Sequence, residues 1–193
     1  MLSGKRILVT GANGGIGIGI CEALLQNNAN LVMFYHTKKN KIVELLEKHS
    51  NLQNNMEFHQ VDLLDSKKLE TTLHTVLEGG KIDSFVHSVT LPTESRDILE
   101  ISWNDFQQHI NLQTKSFLEI IHAIIPSMKE NKHGKIVSIL TSYAVGTPPN
   151  KLSPYITAKY SLLGLSKSLA VELGPWGITV NCISPSMTST PLI

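Results

Sequence analysis

Tyr155 and Lys159 stand four residues apart in SPYITAKYSLLGLSKSLAVELG, a stretch with the apolar spacing of a helix. Positions four apart share one helix face, so a phenol and an ammonium placed this way can reach one site. A free tyrosine titrates at about pH 10, too high for efficient proton exchange near neutrality. A nearby ammonium favours the phenolate, and a phenol tuned in this way can exchange a proton with a bound oxygen. The same spacing also occurs on ordinary helix faces. The pair therefore takes its meaning from what accompanies it.

A second candidate group is the glycine cluster Gly11, Gly14, Gly15, Gly17 and Gly19, which follows the apolar run ILVT and leads into a helical pattern. Glycines let a backbone turn tightly and approach a pyrophosphate, whose charge then rests at the helix N-terminus. The spacing Gly11-x-x-x-Gly15-x-Gly17 differs from the GxGxxG dinucleotide pattern, and a purely structural turn with close packing at Gly19 would read similarly. Its place after the first strand favours nucleotide binding. The second strand ends in Phe34, Tyr35, His36, Thr37, Lys38 and Lys39, with no carboxylate. An acidic residue there would favour NAD, whereas Lys38 or Lys39, assisted by His36, could meet a 2′-phosphate. NADP(H) is the favoured cofactor and NAD(H) the alternative. Asp62, in VDLLD, is free to accept a hydrogen bond from an adenine amine, because Asp65 or Ser66 suits the next helix cap better.

These residues need elements to hold them. RILVT, NLVMFY, MEFHQV, IDSFVHSV, GKIVSIL and GITVNCIS are short, apolar and strand-like. Between them, helical spacing runs over 16–26, 41–48, 67–77, 103–130 and 154–173. Near-continuous apolar strands alternating with helices predict an α/β fold, a parallel sheet covered on both faces. Residues 1–193 read as a single domain without repeats or linkers. Ser102 is the expected N-cap of the 103–130 segment, with Asp105 at the third helical position. That segment is long for a small sheet, and Pro126 is expected to disturb its last turns.

Composition excludes several classes. A 193-residue chain with 41% hydrophobic and 17% charged residues is globular, and a net charge of +1 argues against a nucleic-acid partner. The cluster TKKNK reads equally well as a solvated turn or a phosphate contact. Cys21 and Cys182 lie in apolar periodic segments, which suits a reducing cytoplasm rather than a disulfide framework. The eight histidines lack ligand spacing, so no metal is expected. The start enters a strand directly and no apolar run is long enough to span a bilayer, so neither a signal peptide nor a membrane partner is expected.

Taken together, the chain resembles the short-chain dehydrogenase/reductase family along essentially its whole length. TGANGGIG is similar to that family's TGxxxGxG loop, and YITAK to its YxxxK motif. GLSKSLAVELGPWGITVNCISPS follows, Asn111 stands at the family's helix asparagine, and GKIVSILTS ends at its serine. The resemblance implies a three-layer α/β/α Rossmann-like doubly wound sheet with strand order 3-2-1-4-5-6. It implies a catalytic set of Asn111, Ser142, Tyr155 and Lys159. Ser142 lies thirteen residues before Tyr155, although the strand end could place Thr141 there instead. Tyr155 would give a proton to a carbonyl oxygen as hydride arrives, the hydroxyl would polarise that carbonyl, and Lys159 would also hold the nicotinamide ribose. Asn111 would hold a water linking the lysine to solvent. Cofactor contacts are implied at Gly11, Asn13, Gly14, Gly15, Ile16 and Gly17, at His36, Lys38, Asp62, Leu63 and Ser88, and at Tyr155, Lys159, Pro185, Thr188 and Thr190.

Departures from the family pattern matter too. Its NNAG stretch is His87, Ser88, Val89 and Thr90 here, and its Pro-Gly is Pro185-Ser186. VHSV is similar to the enoyl-acyl carrier protein reductase branch, whose tyrosine and lysine are spaced more widely. His87 reads as a core histidine with a satisfied ring nitrogen. The family continues past this point through a substrate-covering segment and a final strand, so the chain is expected to be C-terminally truncated. The leading expectation is an NADP-preferring ketone/alcohol oxidoreductase resembling the 3-oxoacyl-acyl carrier protein reductase branch. It would act on a small-molecule or acyl-carrier substrate as a homodimer or homotetramer. An enoyl reductase and a non-catalytic dinucleotide-binding subunit are the alternatives.

Overall fold

Each of the six apolar runs forms a strand in the computed structural model, which describes residues 2–144 and 146–188. They are β1 (Arg6–Thr10), β2 (Asn30–Tyr35), β3 (Met56–Gln60), β4 (Ser84–His87), β5 (Gly134–Ile139) and β6 (Ile178–Ile183). All neighbours pair in parallel, in the order β3-β2-β1-β4-β5-β6. This is the doubly wound order that the resemblance implied. The reversal between β1 and β4 opens a crevice at their carboxyl ends, where such sheets bind ligands.

The helices are α1 (Gly15–Gln26), α2 (Asn40–Lys48), α3 (Ser66–Glu78), α4 (Trp103–Ile110), α5 (Ser116–Glu130) and α6 (Ser153–Leu173). Alternation along the central strands sorts the core into two layers. Leu8, Val32 and Phe34 face a cluster with Leu69 and Leu73 of α3, Phe117 and Ile120 of α5, and Leu162 and Leu169 of α6. Ile7, Val9, Leu31 and Met33 face the other, with Cys21 and Leu25 of α1 and Ile42 and Leu45 of α2. Burial pushes the Cys21 thiol up to about 12, so it packs as an apolar group.

The 103–130 segment starts as expected, with Ser102 and Asp105 forming a reciprocal capping box. Its interruption is elsewhere. A π-helical turn at Asn111–Lys115 separates α4 from α5 and packs against α6, while the helix runs on through Pro126 to Glu130. Pro126 and His122, whose carbonyl loses its donor there, are both exposed, so water can take that carbonyl. The expected disturbance at Pro126 is therefore absent. No helix among the described residues is long and apolar enough to cross a membrane, and none of their His, Cys, Asp and Glu side chains form a group of three or more suited to a metal ion.

Candidate active site

The crevice at the β1–β4 reversal is a cavity of about 730 Å³. Its floor is the glycine loop. Gly11 adopts φ +68, a backbone open to glycine, and a Cβ there would collide with the Ser88 carbonyl oxygen. A Cβ on Gly17 would strike the Gly11 carbonyl oxygen. Close packing thus falls at Gly11 and Gly17, whereas Gly19 has open space around its Cβ position. Helix α1 begins with no side-chain cap on Gly14 and no acidic residue in its first turn. Its first amides, at Gly15, Ile16 and Gly17, line the cavity and lack intrahelical acceptors, which suits an anion. A loop that admits no side chain at Gly11 or Gly17 and an uncapped helix start fit a dinucleotide pyrophosphate.

Asn13 lines the cavity, yet its side-chain oxygen accepts from the amides of Lys41 (3.0 Å) and Ile42 (3.3 Å). Asn13 thereby caps α2 across the loop, a role invisible in local sequence. His36, Thr37 and Lys38 line one end, while Lys39 turns away and sits 5.8 Å over the Phe58 ring. Of the two lysines left open by the sequence, Lys38 faces the cavity. Asp65 caps α3 by accepting from Lys68. Asp62 accepts from the Leu64 amide at 2.9 Å through one carboxylate oxygen and holds the other 3.9 Å from His36. Leu63, Ser88, Pro185 and Thr188 also border the cavity, and Thr190 lies outside the described residues.

Beyond the loop, α6 carries Tyr155 and Lys159 into the same cavity on one face. Lys159 is 3% exposed, and its Nζ donates to the Ile139 carbonyl at 2.8 Å. That bond pins the lysine to the end of β5 and holds Nζ 5.8 Å from the Tyr155 ring centre. Burial pulls Lys159 down to about 7. Tyr155 is raised above its ordinary value, chiefly by burial, with the Thr141 hydroxyl pulling it back. The sequence had suggested an ammonium lowering the phenol. Burial instead sets the direction for both groups, acting against the charged form of each.

The remaining expected residues are placed less uniformly. Thr141 is 5% exposed and lines the cavity, and its hydroxyl favours the Tyr155 phenolate. Ser142 is not among the lining residues, and its amide donates to the Pro185 carbonyl at 2.8 Å. Asn111 opens the π-helical turn, but its neighbour Leu112 is the residue that reaches the cavity wall. His87 is 1% exposed and does not line the cavity. Its Nδ1 lies 2.9 Å from the Thr10 hydroxyl and its Nε2 3.0 Å from the Gln113 carbonyl. Both nitrogens are engaged, and burial pushes the ring down to about 3. His87 is a core histidine, as read from the sequence. Tyr143, Leu152 and Met187 complete the wall near Tyr155. Sequence reasoning missed them, for only their proximity to Thr141, Tyr155 and Pro185 along the chain hinted at it.

Comparison with known proteins identifies the family. Residues 5–193 match the family model described as short chain dehydrogenase. The chain is 30% identical to oxidoreductase UcpA of Salmonella typhimurium, over 99% of this chain and 72% of that protein. It is also 30% identical to the 3-oxoacyl-[acyl-carrier-protein] reductase FabG of Buchnera aphidicola, over 96% of this chain and 74% of that one. The structure of 3-ketoacyl-(acyl-carrier-protein) reductase from Brucella melitensis complexed with NADH superposes with a TM-score of 0.89 at 22% identity, over 100% of this chain and 79% of that one. The family model covers nearly the whole chain, and the chain belongs to the short chain dehydrogenase family.

Proposed function

We propose that this protein interconverts a ketone and a secondary alcohol with a nicotinamide dinucleotide, NADP(H) in preference to NAD(H). One observation carries the reading: Tyr155, Lys159 and Thr141 meet in the cavity whose other end is the glycine loop. The bound cofactor supplies or accepts the hydride. Everything else falls to this chain's residues. The first amides of α1 hold the pyrophosphate, Lys38 and His36 stand at the adenosine end, and Asp62 offers its second carboxylate oxygen to an amine. A phenol raised by burial keeps its proton at neutral pH, which suits Tyr155 as the donor to a carbonyl oxygen during reduction. A hydroxyl from the Thr141–Ser142 pair donates to the same oxygen and takes up the charge that develops there. Lys159, titrating near neutrality, passes a proton to the phenol's side of the site, with Asn111 linking it to solvent.

The apolar wall at Leu91, Pro92, Leu152 and Met187 gives room for an aliphatic chain beside the reacting carbonyl, in keeping with a 3-oxoacyl-like substrate. The test is cofactor absorbance followed with NADPH and NADH over a panel of simple ketones, 3-oxoacyl thioesters and enoyl thioesters. Turnover of the ketones with NADPH is expected. Turnover of enoyl thioesters alone would contradict it, and cofactor binding without turnover on any substrate would favour a binding subunit.

A further inference from the structure

We propose that His109 is a positioning residue for Tyr155, its ring braced against the phenol and its protonation read by the buried carboxamide of Gln113. The imidazole meets the Tyr155 ring edge-on, centre to centre 6.4 Å at an interplanar angle of 76°. One helical turn on, Gln113 Nε2 lies 3.5 Å from His109 Nδ1. Gln113 is 0% exposed, and among the described residues its Oε1 has no partner. An unpaired buried amide oxygen is costly unless another state uses it.

His109 supplies that other state. While the imidazole is neutral, the Gln113 amide donates to Nδ1, which leaves the ring proton on Nε2. When the imidazole gains a proton, Nδ1–H becomes a donor, and a half-turn of the carboxamide brings Oε1 round to accept from it. The second bond is charge-assisted and the stronger of the two. No chain movement is needed, because the amide's two ends are nearly the same shape.

Three charged groups among the described residues act on His109. Asp105, one turn earlier on α4, favours the proton. Lys159 on α6 and Arg96 before α4 oppose it, and burial, the largest influence, holds the imidazole below its ordinary value. Arg96 is itself tied to Asp105, which blunts that carboxylate's pull. His109 is thus neutral at pH 7 and takes its proton on the acid side. A second cation then stands near Lys159, and the site tolerates two poorly. This deepens the proposed function, because the consequence for turnover rests on the roles given to Tyr155 and Lys159. The titration of His109 does not.

The experiment has two arms. In the first, proton NMR follows the His109 ring through a pH titration of the full chain, unaltered and as Gln113→Met. The expected midpoint lies below the usual histidine value and falls by about half a unit or more in Gln113→Met, since the charged state loses its acceptor. An unchanged or raised midpoint overturns the proposal. In the second, which stands if Gln113→Met does not fold, reductive kcat is compared between pH 7 and 5.5. The unaltered chain should fall about threefold or more, and His109→Phe, which keeps a ring against Tyr155, less than twofold. An equal fall in both overturns the proposal. Absence of turnover in either protein would instead count against the proposed function while leaving the NMR arm intact.

Discussion

Lys159 carries its ammonium to a place 3% exposed, and the chain bears a cost for that. The unfolded lysine keeps its proton to about pH 10.4. The folded one keeps it only to about 7. Between those values the unfolded state binds more protons, so stability rises with pH across that window and the penalty is fully present below it. Lys159→Met, without the charge, should melt higher than the unaltered chain at pH 6, by about 5 °C, with the gap closing towards pH 10. Calorimetry at several pH values measures this, and a constant gap would contradict the burial argument. Thr141 and Ser142 pose the other question at this scale. Its place in the cavity lining, which Ser142 does not share, points to Thr141 as the carbonyl donor, and the thirteen-residue spacing points to Ser142. Removing the true donor by alanine substitution should lower kcat by about 10²-fold, and removing its neighbour should do far less. The geometry assigns the larger loss to Thr141→Ala.

At the scale of elements, α1 offers a paired test within a few residues. Gly17 sits where a Cβ meets the Gly11 carbonyl, while Gly19 faces open space one half-turn later. Gly17→Ala should displace the loop and weaken cofactor binding by tenfold or more in a fluorescence titration, roughly the cost of one lost charge-assisted contact. Gly19→Ala should raise stability by up to ~1 kcal/mol, since glycine is a poor helix former and nothing blocks the methyl group. Equal effects from the two would deny the loop its role as cradle. The π-helical turn at Asn111–Lys115 carries the same lesson in reverse. Sequence spacing predicts one helix over 103–130 and offers Pro126 as its weak point, yet the break falls where the segment packs on α6. A proline's cost depends on whether the freed carbonyl meets water, and that is decided by burial rather than by local pattern.

Over the whole molecule, the sheet was legible because its signals are local and repeated: strands of Val, Ile and Leu alternate with helical spacing, and the resemblance supplied their order. The glycine loop and the Tyr155–Lys159 pair were legible for the same reason. What escaped depends on where the chain returns. Asn13 caps α2 from across the crevice, Lys39 leaves the cavity for Phe58, and burial, unseen in one dimension, raises Tyr155 and lowers Lys159. Cofactor choice weighs one end of the crevice against a ligand that spans it. Lys38→Glu should cut NADPH affinity relative to NADH by about 10- to 100-fold, the worth of a charge-assisted phosphate contact, read from the ratio of kcat/KM values. An unchanged ratio would mean that Lys38 does not meet the 2′-phosphate. The central claim, that Tyr155 is the proton donor of a nicotinamide-dependent oxidoreductase, is met most directly by Tyr155→Phe measured two ways at once. Cofactor affinity should stay within about threefold while ketone reduction falls by about 10²- to 10⁴-fold. Reduction persisting at the unaltered rate with cofactor bound would contradict it.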